Sequence, residues 1–382
     1  MCVTGFGPTD VRVLVVNAGS SSLKVRLLDA ADTVLGSHDL PAQDGRFDQR
    51  ALAGLLAELP PVDAVGHRIV HGGDLFVHGV AIDAKVEEAL RGLTDLAPLH
   101  QAAGLGALDV VRRLLPHVPA VACFDTAFHA ALPPAAATYA VPQQWRERFK
   151  VKRYGFHGLS HAYAAGRAAE ILGQKASNLR LVVCHLGAGA SLAAVQAGVS
   201  VDTTMGFTPL DGLVMATRSG AIDPGLVLWM QQHAGLTAAE VSFALEHRSG
   251  LFALAGTGDM RQVLQAAAAA EPAASLAVAV YIHRLRAEVA AMAAAMGGCE
   301  ALVFTGGVGE HAAAIREQAA AGLDFLGVRV DASRNAAAVG CDADVSAAGA
   351  RVASLVVVAR EDLQIAREVR AVLGGRAGPS GP

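Results

Sequence analysis

Two stretches in separate halves of the chain share one pattern. VLVVNAGSSSLKVRLL (13–28) and LVVCHLGAGASLAAV (181–195) each run a Val-rich strand into a Gly/Ser turn and re-enter at Ser-Leu. An internal repeat of this kind implies two related halves, each offering a phosphate-binding hairpin. Glycine in the turn lets backbone N–H groups come close to an anion. The competing reading is a pair of unrelated β-hairpins. The second stretch continues to Gly225 through a Gly/Thr/Pro-rich segment carrying one cation, Arg218. An arginine among small residues can reach a transferred phosphoryl group. The stretch 181–225 is therefore expected to hold a nucleotide and an anionic acceptor.

A chain of 382 residues has room for two domains, each with its own core. With 53% hydrophobic and 17% charged residues, disorder is excluded. Much of the apolar excess is alanine, and the Ala-rich stretches 266–274 and 287–296 read as helices. Neither reads as a membrane span, because Glu271-Pro272 interrupts the first and Arg284, Arg286 and Glu288 flank the second. A net charge of -4 leaves no electrostatic footprint for nucleic acid or an anionic membrane. The five cysteines are scattered and form no CxxC, which suggests reduced thiols in a cytoplasmic protein. The N-terminus does not read as a secretory signal, and residues 1–10 and 376–382 read as flexible tails.

Along the chain, strands are expected at 11–16, 23–28, 62–65, 118–124, 301–304 and 352–359. Helices are expected at 50–59, 83–94, 104–115, 160–172, 222–235, 237–248, 260–270, 275–296, 311–321 and 361–373. Arg68 lies between apolar neighbours at a strand end before Gly72-Gly73, as if aimed into a cleft; the plainer alternative is a surface arginine. Asp125 falls just past a strand, where open α/β sheets place functional groups; a turn or cap aspartate is the competitor. His157 and His161 have the i, i+4 spacing of a metal pair. Gly158 and a helix start intervene, however, and no HExxH glutamate is present. A histidine meeting a phosphate fits that position better than zinc. Gly256 to Arg261 forms a glycine loop with an adjacent acid and base, and 301–311 reads as strand, Gly-rich turn, helix.

Several nucleotide motifs are excluded. No GxxxxGK[ST] occurs. Gly187-Ala188-Gly189 starts like GxGxxG, but Leu192 holds the third glycine's place and a strand follows. No HRD or DFG set is present.

VLVVNAGSSSLK, VGHRIVHGG, LAPLH, FDTAFH, YGFHGLSH, CHLGAGAS, VDTTMGFTPLDGL, ATRSGAIDPG, FTGGVGEH and REDLQIARE follow one another in the chain. In that order they closely resemble the acetate kinases, over about residues 11 to 370. The resemblance implies an α/β fold of two duplicated ribonuclease H-like (actin/Hsp70-like) βββαβαβα domains with an interdomain active-site cleft. It implies a first domain at 11–135 completed by the C-terminal helix 362–375, and a nucleotide-binding domain at 136–361. It also implies a homodimer that transfers phosphoryl from ATP to acetate, reversibly, with Mg²⁺ or Mn²⁺.

Carried over by position, the resemblance assigns Asn17 and Glu361 to the metal. Ser20, Ser22 and Lys24 fall on the phosphate side. Arg68 and Arg218 flank acetate and the moving group, Asp125 is the essential carboxylate, and His157 is the transition-state histidine. His100 supports them. Val70, Leu99, Phe156 and Pro209 form the acyl pocket. His185, Leu186, Gly187, Ala188 and Gly189 make the second phosphate hairpin. Asp259, Met260 and Arg261, with Gly307, Val308, Gly309, Glu310 and His311, make the adenosine site. The chain departs from the family pattern at Ala188, His311 and Arg360, each where asparagine is usual, and at Gln101. Three readings follow: an acetate kinase, a propionate or other short-chain acyl kinase, and a nucleotide-binding sensor that has lost turnover.

Overall fold

The computed structural model describes residues 11–19, 22–43, 46–94 and 98–375. The chain divides into two compact units. The first comprises the described residues of Met1–Ala130, Gly158–Tyr163 and Arg360–Pro382; the second comprises Ala131–His157 and Ala164–Ala359.

The first unit holds β1 (Val13–Ala18), β2 (Ser22–Leu28), β3 (Val34–Gln43), β4 (Arg46–Phe47), β5 (Ala64–Ile69), β6 (Val80–Ala81) and β7 (Ala120–Phe124). The strand order is β4-β3-β2-β1-β5-β7-β6. β1, β2 and β3 form an antiparallel meander, whereas β5 and β7 join β1 in parallel. β1 and β7 are nearly continuous apolar runs because both faces are covered. On one face, Leu14, Val16, Leu23, Val25 and Val65 pack with Leu52 and Leu55 of the helix Gln49–Glu58 and with Ala103, Ala107 and Val111 of the helix Pro98–Leu114. The closing helix Glu361–Leu373 covers the other face. There Gly66 has no side chain to hold it off: a Cβ would lie 2.5 Å from Ile365 Cγ2. Arg370 Nη1 anchors the same helix to Asp32 Oδ1 at 2.6 Å in the β2–β3 turn.

The second unit holds β8 (Arg180–Leu186), β9 (Ala190–Gln196), β10 (Val199–Thr203), β11 (Ala301–Thr305), β12 (Ala343–Asp344) and β13 (Ala353–Val356). The order is β10-β9-β8-β11-β13-β12. β8 pairs antiparallel with β9 and parallel with β11, and β11 pairs parallel with β13. Leaving aside the two-residue strands β4, β6 and β12, the orders β3-β2-β1-β5-β7 and β10-β9-β8-β11-β13 are equivalent, and the repeated hairpins of the sequence are the first two strands of each. This is the duplicated α/β architecture expected from the resemblance.

Some element boundaries differ from expectation for identifiable reasons. The glycines of FTGGVGEH are not a turn before a helix. Gly306 leaves β11 at φ +78° and the helix Gly306–His311 begins at once. The helix Pro98–Leu114 takes in Pro98-Leu99-His100, since proline fits a helix's first turn. Proline at the first turn likewise starts Pro224–Gln232 and Pro272–Ala295.

His67 is 1% exposed in β5, and neither ring nitrogen has a hydrogen-bond partner. Burial, with Arg112 adding repulsion, lowers its pKa from 6.5 to about 3. The folded chain thus keeps His67 neutral while the unfolded chain takes up a proton below about pH 6.5. Stability is full above that pH and falls towards pH 3. At pH 5 the expected loss from this residue is about 2 kcal/mol relative to pH 8. Urea unfolding at the two pH values should show that difference shrink by this amount in His67→Phe.

Candidate active site

Three parallel strand ends build the charged centre of the first unit. Asn17 is the penultimate residue of β1, Arg68 that of β5, and Asp125 follows β7 directly. Arg68 grips Asp125 through two bonds, Nε to Oδ1 at 2.9 Å and Nη2 to Oδ2 at 2.6 Å. Its remaining arm, Nη1, donates to Asn17 Oδ1 at 3.1 Å, and Asn17 Nδ2 donates to Glu361 Oε2 at 2.7 Å. The chain Glu361–Asn17–Arg68–Asp125 is thus continuous. Burial opposes the charge on Arg68, but Asp125 and Glu361 overcome it and hold its pKa above the ordinary value. Burial pushes the Asp125 carboxyl up, and Arg68 works against that rise.

The surrounding backbone is fixed by polar groups. Buried Gln101 accepts from His71 N–H at 3.2 Å and donates to His71 O at 3.1 Å. Thr126 Oγ1 accepts from Gly72 N–H at 3.0 Å. Gly158 N–H donates to Asp125 O at 2.9 Å, and any Cβ at Gly158 would collide with that oxygen. Lys24 is exposed and pairs across the hairpin with Asn17, so it shares that face of the sheet. Ser22 is half-buried and its carbonyl accepts from Gly19 N–H at 2.9 Å, closing the turn. Val70 is buried. Ser20 lies outside the described residues, and Leu99 and His100 are described only as backbone in the first turn of Pro98–Leu114.

In the second unit, His185 is the penultimate residue of β8, with Ser191 of β9 as its cross-strand partner. His157 sits at φ +56° immediately before the helix Gly158–Ile171. Its Nδ1 is 2.9 Å from Ser191 Oγ, and its ring stacks on His185 at 4.3 Å. A Cβ on Gly189 would meet His157 Nε2 at 3.3 Å and Arg218 Nη1 at 3.7 Å. The glycine hairpin is therefore flanked by His157 and Arg218. Gly187 N–H donates to Gly189 O at 3.0 Å, and the carbonyl of exposed Ala188 accepts from Ala216 N–H at 3.0 Å. Leu186 is buried.

Arg218 is held by its own loop. Its Nη1 donates to Pro209 O at 2.9 Å, and its carbonyl accepts from Met215 N–H at 3.2 Å. Ser219 N–H donates to Leu245 O at 3.1 Å. Gly250, at φ +62°, lets the next helix press against the carbonyls of Met215 and Arg218. Burial lowers the Arg218 pKa, with Glu246 opposing. Phe156 is buried and Pro209 half-buried in this unit.

The residues expected at the adenosine differ in exposure. Asp259 caps the helix Met260–Ala268 and pairs with Arg261, whose side chain is 88% exposed. Met260 is buried. Gly307 and His311 are exposed, Val308 is half-buried, and Gly309 and Glu310 are buried. Glu310 Oε1 accepts from Ala359 N–H at 3.0 Å.

His157 and His161 do not act as a metal pair. His157 turns to Ser191, while buried His161 packs its ring on His129 at 5.6 Å. Among the described residues, no group of three or more His, Cys, Asp or Glu could hold a metal ion. The oxygens of Asn17, Glu361 and Asp125 nevertheless suit Mg²⁺. That ion usually takes one or two carboxylates and completes its shell with water and substrate phosphates.

The profile of the Acetokinase family matches residues 46–367. A protein of Deinococcus deserti named acetate kinase is 45% identical over 395 residues, covering 96% of this chain and 98% of that one. One from Thermotoga maritima, also named acetate kinase, is 40% identical, covering 95% and 99%. The solved structure of Porphyromonas gingivalis acetate kinase superposes with a TM-score of 0.87 at 35% identity, covering 95% of this chain and all of that one (100%). A propionate kinase from Francisella tularensis gives the same TM-score of 0.87 and identity of 35%, with coverage of 95% and 100%. Duplicated sheets of the actin and sugar-kinase type, together with these relatives, define a phosphotransferase. The chain belongs to the acetokinase family.

Sequence reasoning assigned no role to Ser191, Gly158 or Gln101. Ser191 becomes meaningful only through the β8–β9 register that sets it opposite His185. The packing of Gly158 on Asp125 makes a sharp prediction. Gly158→Ala should cost at least about 2 kcal/mol of stability and most of the turnover, because backbone must shift to admit the methyl. Denaturant unfolding that leaves the parent and variant midpoints equal would contradict this packing.

Proposed function

We propose that the chain transfers the γ-phosphoryl group of ATP to acetate, directly and reversibly, giving acetyl phosphate and ADP. The observation that carries the reading is the network Glu361–Asn17–Arg68–Asp125, which unites four residues that the family resemblance singles out. Relatives named acetate kinase at 40–45% identity support acetate as acceptor. The propionate kinase at 35% identity supports a second reading, a broader short-chain acyl kinase.

The chemistry needs no general base. A carboxylic acid acceptor has a pKa near 4.3, roughly that of glutamate, and is ionised at pH 7. Asp125, gripped by Arg68, therefore orients and balances charge and does not take a proton. The obstacle is bringing an anionic acceptor to an anionic triphosphate. Phosphoryl transfer is met mainly by positioning and charge neutralisation. Arg68 and Arg218 supply two fixed cations. His157, oriented by Ser191 and His185, adds a ring N–H donor. The glycine hairpin 187–189 offers backbone N–H groups, and Lys24 adds charge beside the first hairpin. Asn17 and Glu361, with Asp125 near, would hold Mg²⁺ or Mn²⁺, which neutralises phosphate charge when bound.

We assign the exposed helix Pro224–Gln232 to a homodimer contact. It buries none of its residues, and Leu226, Leu228 and Trp229 are 43%, 54% and 52% exposed. Among the described residues, no helix is long and apolar enough to cross a membrane. Cysteines 123, 184, 299 and 341 are free thiols, which supports a reducing cytoplasmic setting.

Arg218→Ala should fold normally and lose on the order of 3–4 kcal/mol of transition-state stabilisation, a drop of orders of magnitude in kcat. Near-normal turnover would remove Arg218 from the mechanism. A hydroxamate assay with acetate, propionate and butyrate should give acyl phosphate, with acetate preferred; each methylene alters the rate by about 10–200-fold. Product from none of them would favour a nucleotide-binding sensor. Leu228→Glu with Trp229→Glu should convert a dimer to a monomer in light scattering.

A further inference from the structure

The helix Gly306–His311 is held from behind by two buried groups that the transfer chemistry leaves unused. Arg316 is fully buried and directs its guanidinium to amide oxygens. Its Nη1 donates to Gly309 O at 2.8 Å and Glu310 O at 2.9 Å, and Nε donates to Asn335 Oδ1 at 2.7 Å. Nη2 donates to Asn335 O at 2.7 Å and Ala338 O at 2.9 Å. One cation thus satisfies the last carbonyls of that helix and binds the helix Ala332–Ala337 to it.

Glu310 leaves the same helix in another direction. It is 6% exposed, and its Oε1 accepts from Ala359 N–H at 3.0 Å. Ala359 is the last residue of the second unit, and Glu361 follows two positions on. The preceding N–H, of Val358, donates to Asp342 Oδ1 at 2.9 Å, while Asp342 Oδ2 accepts from Arg167 Nε at 2.6 Å. Two carboxylates therefore clasp the peptide that leads into Glu361.

We propose that Glu310 is a positioning residue: its carboxylate ties the helix Gly306–His311 to the Ala359 peptide, so that this helix and the segment leaving the last strand of the second unit are held as one piece. A buried carboxylate spent on a backbone N–H is not presented to adenosine. A hydrogen bond to a charged group contributes enough that its loss should loosen the peptide by roughly tenfold or more.

The test uses the full chain with Glu310→Ala and Glu310→Gln, the latter keeping an oxygen acceptor. Hydrogen–deuterium exchange at the Ala359 amide should speed up at least about tenfold in the alanine variant and clearly less in the glutamine variant, which keeps a neutral acceptor. Metal-free ATP should bind Glu310→Ala within about twofold of the parent, because the carboxylate is engaged by the Ala359 amide. Unchanged exchange at Ala359 in Glu310→Ala would overturn the tether. Metal-free ATP affinity lost equally in both variants would overturn it too, by making Glu310 a nucleotide contact. Faster exchange in a chain that makes no acyl phosphate would uphold the tether and remove the acetate reading instead.

Discussion

A guanidinium held against a carboxylate at the end of a parallel sheet organises the first unit. Asp125 is 2% exposed and the Arg68 side chain 15%, so neither charge could be tolerated alone. Their two parallel bonds leave one arm of Arg68, which Asn17 accepts, and Asn17 passes the connection to Glu361. Removing one member leaves a buried charge without compensation, which is costlier than the pair is favourable. The arrangement demands that three strands end at one level and that the last helix return to their face. Gly66 permits that return by letting Ile365 and Val369 touch the sheet.

The second unit repeats the framework with different chemistry. Asn17 and His185 both occupy the penultimate position of the first strand in a hairpin, and their cross-strand partners are Lys24 and Ser191. In one unit that position feeds a carboxylate–guanidinium network. In the other it supports a stacked histidine pair beside a glycine turn and Arg218. The repeated sheet thus offers two equivalent strand-end positions, one joined to carboxylate oxygens and the other holding the ring of His157.

Much of this was legible in the residues. Valine-rich strands, glycine turns and the Ala-rich helices announce themselves by composition and period. Arg68 and Asp125 could be singled out because each stands at the end of an apolar strand. Two helices start earlier than expected, at Pro98 instead of 104 and at Pro272 instead of 275, because proline is favoured in a helix's first turn. The expected Gly-rich turn of FTGGVGEH is instead a short helix, although glycine is a poor helix former. The packing of that segment, with Arg316 behind it, overrides the propensity.

By itself the sequence determined the two-fold repeat, the strand and helix content, and the residue types able to neutralise phosphate. These depend on periodicity and on side-chain chemistry, which are local. Only the tertiary structure decided that Arg68 spends all three nitrogens on Asp125 and Asn17, that Ser191 meets His157, and that Glu310 is turned towards Ala359. Those partners lie 57, 51, 34 and 49 residues away from one another in the chain, in the cases of Asp125, Asn17, Ser191 and Ala359. Strand register and helix packing bring them within hydrogen-bond range, and neither is written in any short stretch of residues.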